Sequence, residues 1–85
     1  MTVKKPTPEE IKITGSWSTW SKEPAVFPWS YDTKETCYIL EGEAIVTGTD
    51  GNSISFGPGD WVEFEEGLEC TWKIKKTIRK KYLMG

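Results

Sequence analysis

The chain contains no histidine and only two cysteines among its 85 residues. The missing imidazoles remove the usual nitrogen ligand for iron, manganese or zinc, and also the usual base of a cysteine nucleophile. Cys37 and Cys70 are too few for a disulfide framework, and we expect both to be free thiols. The composition therefore argues against a histidine-based metal centre and against a disulfide scaffold.

Long apolar runs are also missing. No segment approaches the roughly 20 apolar residues that cross a bilayer, and the start, MTVKKPTPEE, lacks the apolar part of a secretory signal. We therefore expect a cytoplasmic protein with no membrane partner. Import of a longer precursor into an organelle stays open.

Acidic and basic groups are unevenly distributed along the chain. Residues 1–72 carry five basic and thirteen acidic groups, a balance of −8, whereas residues 73–81 carry six basic groups and no acid. A basic segment of this kind is found in proteins that bind nucleic acid. Here the lysines alternate with Ile74 and Ile78, which favours the solvated face of a strand whose lysines prevent edge-to-edge pairing. We therefore expect no nucleic-acid partner.

Turn residues divide the chain into short apolar segments. Asp50 and Gly51 lie between YILEGEAIVTG and SISF, which predicts a β-hairpin, and GPGD at 57–60 marks another turn. Residues 70–74 alternate apolar and polar side chains, the period of a strand. Only PTPEEIKI favours a helical turn, with Thr7 as its cap. The pattern predicts an all-β fold of eight or nine short strands, in a sandwich or a closed antiparallel barrel.

The segment Cys37–Leu40, CYIL, is apolar on both faces of its predicted strand. A small barrel interior can take up only one of these faces. The other face then needs a covering sheet or a second subunit. We expect the chain to form a homodimer.

Several glycines and one carboxylate match a known pattern. Glu35 and Gly42 fit the end of the motif G-x5-H-x-H-x3–4-E-x6-G, and Gly59 and Gly67 fit two glycines of G-x5-P-x-G-x2-H-x3-N. These are the two motifs of the cupin superfamily. Over residues 17–82 the chain resembles the small single-domain cupins grouped with the (S)-ureidoglycine aminohydrolase cupin domain, the DUF861 or Cupin_3 type.

The resemblance implies one compact cupin domain over residues 1–85. Its expected form is a jelly-roll-like antiparallel β-barrel made by residues 15–85. Residues 1–14 are expected to form an N-terminal arm.

The metal-ligand positions depart from the cupin motifs. Trp29, Tyr31 and Cys70 stand at the three histidine positions, and only the carboxylate of Glu35 is retained. A divalent metal site generally needs three or more protein ligands. Glu35 and Cys70, with Cys37 as a third donor, would be the set if a divalent metal were bound. The sequence thus favours a site without a bound metal or other cofactor.

The same region predicts a small-molecule cavity. Trp29, Tyr31, Glu35 and Cys37 have odd numbers, so a continuous strand would place them on one face. An apolar pocket with a few polar groups is the usual form of a ligand site. Glu35, enclosed by aromatic rings, is the candidate catalytic residue, as a general acid or base. The alternatives are a structural, hydrogen-bonded carboxyl and rings that only fill the barrel. The predicted cavity residues are Trp29, Tyr31, Glu35, Cys37, Cys70 and Trp72.

Three functions stay open at this point. We favour binding of a small polar metabolite in the barrel without a standard metal centre, and whether catalysis follows is left open. The resemblance implies instead a metal-dependent enzyme similar to ureidoglycine aminohydrolase. The third is a structural or regulatory homodimer that uses the barrel as a scaffold, because a fold does not determine a function.

Overall fold

A computed structural model describes all 85 residues, and it contains seven strands and one short helix. The strands are β1 (Thr2–Lys4), β2 (Ser18–Lys22), β3 (Ala25–Ser30), β4 (Glu35–Gly48), β5 (Ser53–Phe56), β6 (Trp61–Phe64) and β7 (Glu69–Met84). The helix α1 (Pro8–Ile13) is followed by a 3₁₀ turn at Thr14–Ser16. The predicted all-β fold is confirmed. No helix is long and apolar enough to cross a membrane.

The two long strands β4 and β7 form the framework of the barrel. They pair antiparallel from Glu35 opposite Met84 to Gly48 opposite Cys70. The first half of β4 also pairs with β6 and the second half with β5, while the two halves of β7 pair with β3 and then β2. Each long strand therefore passes from one side of the barrel to the other, which produces the predicted jelly-roll-like arrangement.

The number of strands differs from the eight or nine expected. β4 has 14 residues and β7 has 16, and each continues through the barrel corner where separate short strands were expected. The register between them shifts at three places from Ile39 to Ala44. Bulges of this kind increase local twist and let a strand bend without ending.

Gly42 allows β4 and β7 to approach each other closely at this bend. Its φ is +93°, and a Cβ at this position would lie 2.7 Å from Cα of Ile78. Only glycine combines a positive φ with such close contact to a neighbouring backbone. The glycine of the E-x6-G pattern thus has a structural role in this chain.

The N-terminal residues contribute a strand and the predicted helical turn. Thr7 caps α1: its side chain accepts the N–H of Glu10 at 3.2 Å, and the Glu10 carboxylate accepts the N–H of Thr7 at 2.9 Å. Pro8 occupies the first helical position, where its missing N–H is not needed. β1 pairs with β6, so residues 1–14 add an edge strand to the sheet.

The core is aromatic and lies between the two halves of the barrel. Phe56, Phe64 and Trp72 are buried and contact one another, with ring centroids 5.5–6.3 Å apart. Cys70, Trp72 and Ile74 alternate with exposed residues on β7, as their period predicted. One side of this core opens into a cavity.

Candidate functional site

A cavity of about 290 Å³ opens beside the aromatic core and reaches solvent. Seven of its nine lining residues are hydrophobic. They come from β2, β3, the loop after β3, the start of β4 and the whole length of β7. The lining residues are Trp20, Phe27, Trp29, Tyr31, Glu35, Trp72, Lys80, Tyr82 and Met84.

A buried ion pair supplies the two charges in this apolar lining. Nζ of Lys80 lies 2.6 Å from Oε2 of Glu35, and the two side chains are only 7% and 6% exposed. Sγ of Cys37 donates a second hydrogen bond to the same oxygen at 2.8 Å. Strand pairing explains the meeting: Glu35 and Cys37 lie on β4 opposite Met84 and Tyr82 of β7, two and one inward-facing positions beyond Lys80.

Aromatic rings surround the Lys80 ammonium. Its Nζ lies 4.7 Å from the ring centroid of Trp72, 4.8 Å from that of Trp20 and 5.9 Å from that of Tyr82. A cation over the face of a tryptophan is attracted by the ring quadrupole, more strongly when water is excluded. The rings and the Glu35 carboxylate together compensate the lysine for its lost hydration.

Sequence reasoning missed Lys80, because the basic segment 73–81 was expected to lie on a solvated face. That interpretation is wrong for this residue. Ile74, Ile78 and Lys80 have even numbers and all are buried, while Lys73 is exposed. The period of two along β7 was the signal that places Lys80 inside. The lysine-rich composition of the segment concealed it.

Tyr31 is enclosed beside the ion pair, only 2% exposed. Its hydroxyl accepts a hydrogen bond from Nε1 of Trp72 at 3.2 Å, and its ring stacks on Phe64 with centroids 4.9 Å apart. Burial, and then the nearby Glu35 carboxylate, raise the pKa of Tyr31 well above its ordinary value. The hydroxyl is therefore neutral at physiological pH and available as a hydrogen-bonding group.

Trp29 lies at the mouth of the cavity rather than inside it. Its side chain is 49% exposed and meets Tyr31 edge to face at 6.5 Å. β3 ends at Ser30, so Trp29 and Tyr31 do not belong to one continuous strand with Glu35. Both residues nevertheless line the same cavity as Glu35.

The two cysteines are buried outside the lining of this cavity, and both are free thiols. Cys37 contacts Glu35, as described above, whereas Sγ of Cys70 approaches the carbonyl oxygen of Trp29 at 3.6 Å. Burial raises the pKa of each thiol, and the negative charge of Glu35 adds to this effect. Neither cysteine lines the cavity, in contrast to Trp29, Tyr31, Glu35 and Trp72 of the predicted set.

The residues around Glu35 do not fit a divalent metal. No three histidine, cysteine, aspartate or glutamate side chains lie close enough together to hold one. The partner of the Glu35 carboxylate is the ammonium of Lys80, at hydrogen-bonding distance. A divalent cation beside this carboxylate would meet a positive charge in a site of low dielectric, which is strongly unfavourable.

Comparison with protein-family models identifies the family of the chain. Residues 12–82 match the family model described as Cupin_3, the EutQ-like cupin domain. The chain belongs to the EutQ-like cupin family. The resemblance expected from Glu35, Gly42 and the motif glycines is confirmed at this level. Among curated proteins none matches the chain significantly.

Solved structures of similar shape support the same placement. A DUF861 family protein from Thermotoga maritima has 45% identity and a TM-score of 0.95, covering 99% of this cupin and 98% of that chain. A putative ethanolamine utilization protein Q from Salmonella typhimurium has 22% identity and a TM-score of 0.72, covering 96% and 66%. The EutQ protein of Clostridium difficile has 18% identity and a TM-score of 0.71, covering 78% and 52%. The last two show the shared fold alone, and none of these similarities identifies a ureidoglycine-specific activity.

Proposed function

We propose that this cupin binds a small polar metabolite in the barrel cavity, without a metal centre. The observation that carries the proposal is the Glu35–Lys80 ion pair, which lines an otherwise aromatic cavity. Apolar walls with a few convergent polar groups are the usual form of a small-molecule site. About 290 Å³ is at the small end of the usual range of such sites, which favours a compact metabolite over a nucleotide.

The ion pair favours binding over acid–base catalysis by Glu35. One oxygen of this carboxylate already accepts hydrogen bonds from Lys80 and Cys37. Proton transfer at that oxygen would require these contacts to break, which leaves only the other carboxylate oxygen for such a role. A scaffold role for the barrel is less well supported, because a scaffold has no need for a charged pair in an accessible cavity, where desolvation is costly.

A ligand-observed NMR screen of small polar fragments tests the proposal. Hits should bind the wild type and lose affinity in Trp29→Ala, which removes the ring at the cavity mouth. Val26→Ala is the matched control, since Val26 is on the same strand, is 67% exposed and does not line this cavity. A library without a hit, or hits that Trp29→Ala and Val26→Ala affect equally, would contradict a binding site here.

Metal analysis separates this proposal from a metal-dependent enzyme of the ureidoglycine type. Protein purified without chelator should contain far less than one equivalent of manganese, iron or zinc by mass spectrometry. The expectation follows from the missing third ligand and from the Lys80 ammonium beside Glu35. Near-stoichiometric metal that disappears in Glu35→Ala would favour the metal-dependent enzyme instead.

A further inference from the structure

One oxygen of the buried Glu35 carboxylate has no partner in the chain. Oε2 accepts from both Lys80 and Cys37, whereas Oε1 makes no hydrogen bond. No buried side-chain oxygen or nitrogen in the structure lacks a partner. Oε1 is therefore accessible, and Glu35 lines the cavity, with 4% of the residue exposed. An acceptor thus faces the space where a ligand would lie.

The Lys80 ammonium beside this carboxylate has N–H donors that make no hydrogen bond within the chain. A lysine ammonium carries three N–H donors, and Lys80 makes one hydrogen bond, to Oε2 of Glu35. Lys80 also lines the cavity. The acceptor Oε1 and the donor Nζ therefore belong to one ion pair in the cavity wall.

The charge balance of the pair bears on the charge of the ligand. Glu35 and Lys80 neutralise each other, and the other seven lining side chains are uncharged. An ionised ligand would bring an uncompensated charge into an aromatic site, which costs far more than burial of a neutral polar group with its hydrogen bonds made. The aromatic walls favour a flat, largely apolar body.

We propose, building on the metabolite binding inferred above, that the cavity recognises a neutral planar compound whose edge carries an N–H group next to a C=O group, as in a lactam. The N–H donates to Oε1 of Glu35, and the C=O accepts from Nζ of Lys80. Both hydrogen bonds involve a charged partner, the stronger kind. Trp29, at the cavity mouth, and Tyr31, deeper beside the ion pair, contact the ring of the ligand.

A series of matched probes tests this edge on the wild-type protein by isothermal titration calorimetry. 2-Pyridone carries the edge on a flat ring, and N-methyl-2-pyridone keeps the ring and the C=O but lacks the donor. Benzoate and benzylamine are flat probes of either charge. We expect 2-pyridone to bind at least about tenfold more tightly than each of the other three. N-methyl-2-pyridone loses one charge-assisted hydrogen bond, and benzoate and benzylamine each bring an uncompensated charge into the cavity.

One variant tests the contact with Lys80, and a second variant serves as its control. Lys80→Met should weaken both pyridones, 2-pyridone by at least about tenfold, because both carry the C=O that accepts from Nζ of Lys80. Glu43→Gln is the control, since Glu43 is an exposed acid of β4 outside the cavity; it should leave both affinities unchanged. If Lys80→Met does not fold, the probe series on the wild type still decides.

The outcomes distinguish a failure of the proposed N–H and C=O recognition from a failure of metabolite binding in the cavity. Equal affinity for the two pyridones, or tighter binding of benzoate or benzylamine, overturns the lactam edge while leaving metabolite binding intact. If no probe binds but the fragment screen finds cavity ligands, the edge fails alone. If neither the probes nor the fragments bind, both proposals fail.

Discussion

Removal of either partner of the Glu35–Lys80 pair would leave an unpaired charge in the core. A buried ion pair gains little over apolar packing, but removal of one partner leaves an unpaired charge and costs about 3–5 kcal/mol. Here the remaining charge would sit among aromatic rings, since both side chains are less than a tenth exposed. The pair therefore couples the two strands β4 and β7 at the cavity.

A double-mutant cycle measures this coupling. Glu35→Gln and Lys80→Met should each lower the free energy of unfolding by about 3 kcal/mol or more in urea titrations. The double variant should be more stable than the sum of the two losses predicts, by about 0.5–3 kcal/mol. The exposed pair Lys76–Glu43, at 3.6 Å, is the control, and its single variants should stay within about 0.5 kcal/mol of wild type. Additive losses at Glu35 and Lys80 would contradict the coupling.

The Cys37 thiol makes stability depend on alkaline pH. Burial raises its pKa above the ordinary value of 9.0, an effect that Lys80 opposes and Glu35 reinforces. The folded state keeps the thiol proton that the unfolded chain loses above pH 9. The contribution to stability is thus fully present below about pH 9 and decreases as the pH rises further, by about 1.4 kcal/mol per unit for each such group.

Urea unfolding between pH 8 and 10.5, with a reductant present, checks this slope. Cys70 and Tyr31 have raised pKa values too and contribute in the same direction. Cys37→Ala should therefore flatten the alkaline decrease without abolishing it, whatever its effect on stability at pH 7. A slope that is the same in Cys37→Ala and wild type would show that this thiol does not titrate in the expected range.

The site residues differ in how far the sequence could reveal them. Tyr31 lies in the loop after β3 and was predictable from motif spacing alone. Glu35 and Trp72 were predictable from strand period and motif spacing, since each lies on a regular inward-facing strand position. Lys80 lies on such a position too, but a charged residue is almost never buried without a partner. Its partner is 45 positions away in the chain, and only the strand pairing shows that Glu35 is there.

At the scale of elements, the bend shared by β4 and β7 depends on Gly42. Gly42→Ala would place a methyl group within 2.7 Å of the Ile78 backbone as well as forcing a positive φ on alanine. The φ strain alone costs about 1–2 kcal/mol. Because the neighbouring backbone cannot move without breaking the strand pairing, we expect a total loss of more than about 3 kcal/mol in the free energy of unfolding.

Two other glycines separate these effects. Gly51 has a φ of +89° with nothing within 4 Å of an added Cβ, so Gly51→Ala should cost only the φ strain. Gly15 has neither a positive φ nor a close neighbour, and Gly15→Ala should be close to neutral. Equal losses for Gly42→Ala and Gly51→Ala, by thermal or urea unfolding, would argue against a close strand contact.

Turns and caps were the most predictable elements, because they depend on local residues. The hairpin at Asp50–Gly51 and the cap at Thr7 follow from side chains within three positions of the feature. The long strands β4 and β7 were not predictable as single elements. Their bulges near Glu41 depend on contacts between strands that are more than 30 residues apart in the chain.

At the scale of the molecule, self-association stays a prediction. Tyr38 and Leu40, on the outer face of β4, are half-buried within the single chain, and Trp17 packs on the neighbouring Trp61 with centroids 5.3 Å apart. The outer apolar face is thus partly covered already. We still expect a dimer by sedimentation velocity over a range of concentrations, and Leu40→Glu should shift it toward monomer. A wild type that is monomeric at high concentration would contradict this expectation.

The basic residues of β7 are the part of the chain that would contact nucleic acid, if any did. Two of these basic residues lie opposite acidic residues of β4: Arg79 is opposite Glu41, and Lys76 is opposite Glu43, with an ion pair of 3.6 Å. Lys80, another of the six basic residues of the segment, is buried and paired with Glu35. The potential available to phosphates is therefore much lower than the count of six basic groups implies.

We expect no binding of single- or double-stranded DNA or RNA beyond a weak background at low salt. Phosphate contacts release counterions, so true binding would weaken steeply with salt, with a slope of nearly one per neutralised phosphate. Fluorescence anisotropy titrations at about 50 and 200 mM salt provide the measurement. The double variant Glu41→Gln, Glu43→Gln exposes the charges of Arg79 and Lys76 and should raise the low-salt background, which establishes that the assay detects this surface. Tight wild-type binding with a strong salt slope would show instead that the cross-strand acids do not neutralise β7.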